Sequence, residues 1–273
     1  MRFCFVIPLK TTKVFEDNKW VDSENKRSVV LLNLLRTLKS IDNAASAADG
    51  EIDVNVFISG HENPLESVAQ QWKSISIYFV ENSFPRPADK SLYMKDKELK
   101  KSSAFATVER FIAQSDSVTT FLMLFDADDL VSRDFFNYVL STFERQKCDD
   151  IAIMAGYLYD YKNKRFGYLD GRERIFYRNC GSSFVSKIRQ EDLQSKGFIH
   201  RLKNHIEFHL RAKEVSRNVY YSFDSSVLYL VNHGENDVSE RHGEYHMVHF
   251  VKHFKCSLEE ASLAQEKFPL LVS

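Results

Sequence analysis

The segment Thr119–Phe125 reads TTFLMLF and stops on Asp126-Ala127-Asp128-Asp129, which carries three carboxylates. A strand that is apolar on both faces needs cover on both sides, as in a parallel sheet sandwiched between helices. The preceding chain fits that demand. Phe3-Cys4-Phe5-Val6-Ile7, closed by Pro8, reads as a buried strand, as do Asp53–Ser59 (DVNVFIS) and Ile75–Val80 (ISIYFV). Between them, Val30, Leu31, Leu34, Leu35, Leu38 and Ile41 repeat with helical spacing and predict a helix over 23–41. Phe105, Val108, Phe111 and Ile112 predict another over 102–115. Strands alternating with helices make an α/β unit, placed here at 1–145 and closed by a helix over 133–146.

Residues 146–273 are less regular, and no linker sets them apart, so they are expected to extend the same sheet. Ile151–Tyr159 reads as one strand, Lys162–Arg174 as a charged excursion, and Arg174–Val185 as a strand and turn. A helix is expected over 200–213, a strand pair or one long strand over Val219–Val231, and a helix over 240–267.

Composition narrows the function. The 37 basic and 38 acidic residues give a net charge of −1, which argues against nucleic-acid binding through a basic surface. Only 9 Gly are present, and neither GxGxxG nor GxxxxGK[ST] occurs, which disfavours classical dinucleotide-binding and P-loop proteins. Cys4, Cys148, Cys180 and Cys256 are far apart and form no CxxC pair, so a disulfide framework or zinc ribbon is not expected. No apolar run approaches the roughly 18 residues of a membrane span, and the expected location is cytoplasmic, with peripheral attachment to the inner membrane face left open.

The three acids lie where an open α/β sheet binds ligands, outside the carboxyl end of a strand. Side chains at i and i+2 of extended backbone point the same way, so Asp126 and Asp128 could converge on one ligand. Neighbouring carboxylates repel unless positive charge lies between them, and Mg²⁺ or Mn²⁺ supplies it through oxygen ligands. The blander reading makes Asp128 or Asp129 the N-cap of a helix starting at Leu130. Five of the nine histidines fall within 233–253. His242, His246, His249 and His253 form one helical stripe mixed with aromatics and read as a core boundary. His233 follows an apolar strand and is the better ligand candidate.

In their order, these segments resemble the GT-A glycosyltransferases, most closely family 2 and related bacterial enzymes. FVIPLK is similar to their first strand and KRSVVLLNLLRTLKSI to their first helix. KKSSAFATVERFIAQSDSVTTFLMLFDADDLVSRDFF is similar to the helix and strand that lead into the DxD motif. FYRNCGSSFVSKI resembles an acceptor-side strand, NHIEFHLRA the helix of the catalytic acid, and YLVNHGENDVS the C-terminal segment with its His. The resemblance implies a GT-A, Rossmann-like fold, a mostly parallel sheet flanked by helices in one domain. Residues 1–145 would be its nucleotide-sugar half and 146–273 its acceptor half.

It also implies roles. Asp126 would face the ribose or the metal, and Asp128 would bind Mn²⁺ or Mg²⁺ on the donor diphosphate, completed by His233. Pro8 and Lys10 would lie under the nucleotide. Glu62 would touch the nucleoside, although the family's Asp-Asp-Gly-Ser is absent. Lys100 or Lys101 would assist the departing diphosphate. Glu207 would be the carboxylate that deprotonates the acceptor hydroxyl, with Asp192 the second choice. The implied reaction is inverting transfer from a nucleotide-sugar, a UDP-sugar favoured, to a glycan or lipid-linked saccharide, and an oligomer is left open. The alternatives are a glycan-binding or interaction protein without turnover, or a sugar-nucleotidyltransferase. The latter should show a Gly-rich loop after the first strand, where FVIPLKTTK has none. A haloacid-dehalogenase-type phosphatase would carry its DxD on the first strand.

Overall fold

The computed structural model describes residues 1–68, 72–87, 90–114, 119–160, 164–171, 181–189, 192–193, 208–223, 229–233 and 256–269. Its main sheet has seven strands: β1 (Arg2–Pro8), β4 (Asp53–Gly60), β5 (Ile75–Glu81), β6 (Thr120–Leu124), β8 (Asp150–Ile153), β11 (Phe184–Ile188) and β12 (Val219–Ser222). They stand in the order β12-β8-β11-β6-β1-β4-β5. β1 pairs in parallel with β4 and β6, and β4 with β5; only β11 runs against its neighbours. The expected class, an α/β fold with a mostly parallel sheet flanked by helices, is the observed one.

Strand alternation sends successive side chains to opposite faces. Phe3, Phe5 and Ile7 of β1, Val54, Val56 and Ile58 of β4, and Phe121 and Met123 of β6 share one core. It is covered by α1 (Glu24–Ser46) through Leu34, Leu38 and Ile41, and by α3 (Phe135–Gln146) through Phe135, Phe136, Val139 and Phe143. Cys4, Val6, Phe57, Leu122 and Leu124 face the other side, under Ala104, Phe105, Val108 and Ile112 of α2 (Tyr93–Ala113). Phe3 stacks on Phe121 at 4.8 Å and meets the edge of Phe136 at 4.7 Å.

A second sheet was not expected. β7 (Asp129–Val131), β9 (Gly156–Asp160), β10 (Arg165–Leu169) and β13 (Tyr229–His233) stand in the order β10-β9-β13-β7. It packs Leu130, Tyr157, Tyr159 and Phe166 against Ala264 and Phe268, in and just after α5 (Leu258–Lys267). The single strand expected over Ile151–Tyr159 is thus two strands in two sheets. The excursion expected over Lys162–Arg174 contains β10. β2 (Lys13–Glu16) and β3 (Lys19–Asp22) form a hairpin whose turn residues, Asp17 and Asn18, have φ of 47° and 60°. Such left-handed pairs match the twist of two-residue hairpins. α2 begins nine residues before the expected Ser102, and a short helix, α4, spans Phe208–Glu214. As expected, residues beyond 146 extend the main sheet, through β8, β11 and β12.

Candidate functional site

From β1 the chain moves outward to β4 and β5, then crosses back to place β6 on the other side of β1. That reversal opens a crevice at the carboxyl ends of β1 and β6, the place where open α/β sheets hold ligands. Pro8 ends β1, Lys10 follows it, and Asp126 lies two residues past β6. The acid turn 126–129 also leaves the main sheet and enters the second, because Asp129 begins β7. The N-cap reading of Asp128 or Asp129 is therefore corrected: α3 starts at Phe135, behind Asp134.

The turn is pinned from two sides. The Ser182 hydroxyl accepts the Asp126 amide at 2.7 Å and donates to the buried Asp129 carboxylate at 2.7 Å. On the other side, the Thr37 hydroxyl of α1 stands 2.9 Å from the carbonyls of both Ala127 and Asp129. The Asp126 carboxylate meets the Lys97 ammonium at 2.7 Å, and its other oxygen lies against Gly181, where a Cβ would overlap it. Ser182, Thr37, Gly181 and Lys97 escaped the sequence reading. Only Gly181, within the quoted Cys-Gly, carried a signal.

Glu62 lies just beyond β4 and ties three loops together. Thr11 donates to it at 3.1 Å, the Thr12 amide at 3.2 Å and Arg86 at 2.7 Å. Burial pushes the Glu62 pKa up, but the bonds from Arg86, Thr12 and Thr11 outweigh it and hold the carboxyl below its ordinary value. Next to it, His61 bridges the Asp96 carboxylate, at 2.8 Å, and the Asn82 carbonyl, at 3.2 Å. Lys100, 1% exposed, donates to Asp96 at 2.6 Å. Burial lowers the Lys100 pKa against the pull of Asp96. Lys101, 5% exposed, pairs with Glu98 of its own helix at 2.9 Å. Its pKa is lowered by burial and then by the charge of Lys97. Lys101 also feels the charge of Asp126 in the acid turn.

The two base candidates have different fates. Glu207 lies outside the described residues. Asp192 lies at the opposite edge of the sheet from Asp126. β11 runs antiparallel to β6 with Ile188 against Thr120, so the chain after Ile188 emerges at the amino end of β6. There Asp192 accepts from Arg217 at 2.8 Å and from the Arg189 amide at 2.7 Å, within a buried network that includes Asp150. The structure does not bring Asp192 to the acid turn.

His233 ends β13, which runs antiparallel to β7 with Val231 against Asp129. That register carries the His233 backbone toward Ala127. The histidine stripe over 242–253 lies outside the described residues. Among the described residues no group of three metal-ligating side chains converges. The Asp126 and Asp128 carboxylates of the turn are of the oxygen-donor type that suits a divalent cation. Among the described residues, no helix is long and apolar enough to cross a membrane.

No protein-family model matches the sequence, and no curated protein matches it. Among solved structures, S. aureus TarS 1-349 is similar at a TM-score of 0.42 and 10% identity, over 99% of this chain and 71% of that one. TarS 1-349 in complex with UDP-GlcNAc is similar at 0.43 and 10%, over 99% and 72%. S. aureus TarS is similar at 0.44 and 11%, over 100% of this chain and 44% of that one. Likenesses this loose bear on neither activity nor ligand.

Proposed function

We propose that this chain is a glycosyltransferase that moves a sugar from a nucleotide-sugar, a UDP-sugar favoured, to a hydroxyl of a glycan or lipid-linked saccharide, with inversion. The observation that supports this reading is the acid turn. Asp126 and Asp128 stand past β6 at the crevice between β1 and β6, on a turn fixed by Ser182 and Thr37. The nucleotide would lie over Pro8 and Lys10, its base near Glu62, whose lowered pKa keeps it an acceptor at neutral pH. Asp126 would accept from the ribose hydroxyls. Asp128 and His233 would hold the cation, which when bound supplies Lewis-acid charge to the leaving diphosphate. Glu207 is assigned the acceptor proton by its place in NHIEFHLRA. Residues 1–145 would form the donor half and 146–273 the acceptor half, and the protein would work in the cytoplasm.

The test is release of nucleoside diphosphate from UDP-, GDP- and dTDP-sugars with Mn²⁺, with and without a pooled glycan acceptor. Acceptor-stimulated release that is lost in Glu207→Gln is expected. Binding of a nucleotide-sugar with no release and no transfer would replace the transferase with a glycan-binding protein.

A further inference from the structure

Three lysines, Lys97, Lys100 and Lys101, lie within little more than one turn of α2 and have different partners. Lys100 is paired at i−4 with Asp96, and Lys101 at i−3 with Glu98, and both side chains are buried. Lys97 reaches off the helix. Its ammonium meets Asp126 at 2.7 Å, with the two side chains 26% and 24% exposed, at the mouth of the β1–β6 crevice. A lysine there is a compact charge on a flexible stem, suited to moving between oxygen partners. A partly solvated ion pair is also weak enough to exchange, since water competes for both partners.

We propose that Lys97 is a donor-binding residue that exchanges the Asp126 carboxylate for oxygens of the donor diphosphate. The exchange has two effects at once. The diphosphate gains a charge-assisted hydrogen bond. Asp126 gives up its ammonium and is left as an acceptor for a donor hydroxyl. Lys100 and Lys101 are buried and already paired with Asp96 and Glu98, whereas Lys97 is partly solvated beside Asp126. This inference rests on the nucleotide-sugar reading of the crevice and names one contact within it.

The experiment is calorimetric titration of wild type, Lys97→Met and Lys97→Arg at fixed Mn²⁺. The probes are whichever of UDP, GDP, CDP and dTDP binds wild type, with its monophosphate and its nucleoside. Lys97→Met should weaken the diphosphate by about tenfold or more, leave the nucleoside unweakened, and be partly rescued by Lys97→Arg. Equal weakening of diphosphate and nucleoside would reduce Lys97 to a prop for Asp126 and overturn the proposal. Unchanged binding of both would overturn it as well and leave the donor site standing. Failure of wild type to bind any of the four diphosphates would remove the nucleotide-sugar reading itself, and this inference with it.

Discussion

A methyl group on Gly181 would overlap Oδ2 of Asp126 and stand 3.0 Å from its Cγ. The glycine is what lets the carboxylate lie against the backbone entering β11. Gly181→Ala must push Asp126 away or shift the backbone that carries Ser182. Overpacking of this kind costs about 1–3 kcal/mol. The expected outcome is a small loss in urea midpoint with a disproportionate loss of nucleoside diphosphate affinity, about tenfold, as expected when a charged hydrogen-bonding group is displaced. Calorimetry and urea titration on one preparation check it.

Thr37 lies 90 residues from Ala127 in sequence, yet its hydroxyl stands within 2.9 Å of two carbonyls of the acid turn. Thr37→Val keeps the shape and removes the donor. The one hydroxyl proton that the buried Asp129 carbonyl and the part-buried Ala127 carbonyl share is then lost, which costs about 1–3 kcal/mol. Diphosphate affinity should fall with stability here, whereas Thr142→Val, whose buried hydroxyl oxygen has no hydrogen-bond partner among the described residues, should be neutral or stabilising. Urea midpoints for the two variants decide it.

The network at the amino edge predicts the reverse pattern. Arg217 donates to Asp150 at 2.6 Å and Asp192 at 2.8 Å, and its side chain is 1% exposed. Removing one partner of a buried ion network leaves uncompensated charge and costs about 3–5 kcal/mol. Arg217→Met should lower the melting temperature sharply. Asp192→Asn should lower it less, while the folded fraction of each binds nucleoside diphosphate as wild type does. Loss of transfer in Asp192→Asn at unchanged stability would restore Asp192 as the base.

Acid should weaken the β4–β5 edge. Burial raises the Asp96 pKa, but bonds from His61 and Lys100 outweigh it and leave the carboxyl below its ordinary value, as happens at Glu62. A depressed folded pKa gives stability that is fully present above the unfolded values of about 3.9 for Asp and 4.3 for Glu. That stability is lost as pH falls through the folded values. Urea midpoints should hold from pH 7 to about 5 and decline below. Asp96→Asn should lower the neutral plateau, by stranding Lys100, and flatten the acid limb.

Much of the main sheet was legible because its signals are local. Phe3–Ile7, Asp53–Ser59 and Thr119–Phe125 alternate or run apolar, and each became a strand within about a residue or two of its expected ends. The start of α2 was hidden because 93–101 is rich in charge and shows no apolar face, yet Lys100 and Lys101 are buried and paired with Asp96 and Glu98. The second sheet was hidden because it joins β7 to β13, about 100 residues away, and such pairing leaves no local period. The Asp17-Asn18 turn does carry a local signal, since both residues tolerate positive φ. At the site, Asp126 and Asp128 showed as an acid turn after an apolar strand. Lys97, Thr37 and Ser182 did not, because each reaches the turn from a distant element.

The central claim is that the acid turn belongs to a nucleotide site. It is tested most directly by thermal unfolding of wild type and Asp128→Asn with UDP, GDP, CDP and dTDP, each with and without Mn²⁺. A ligand specific to the folded state adds about 2.7 kcal/mol at 100 times its Kd. The account predicts a Mn²⁺-dependent rise in melting temperature with one nucleotide, absent in Asp128→Asn. No rise with any of the four, or an equal rise in the variant, would make Asp126 and Asp128 structural acids and contradict it.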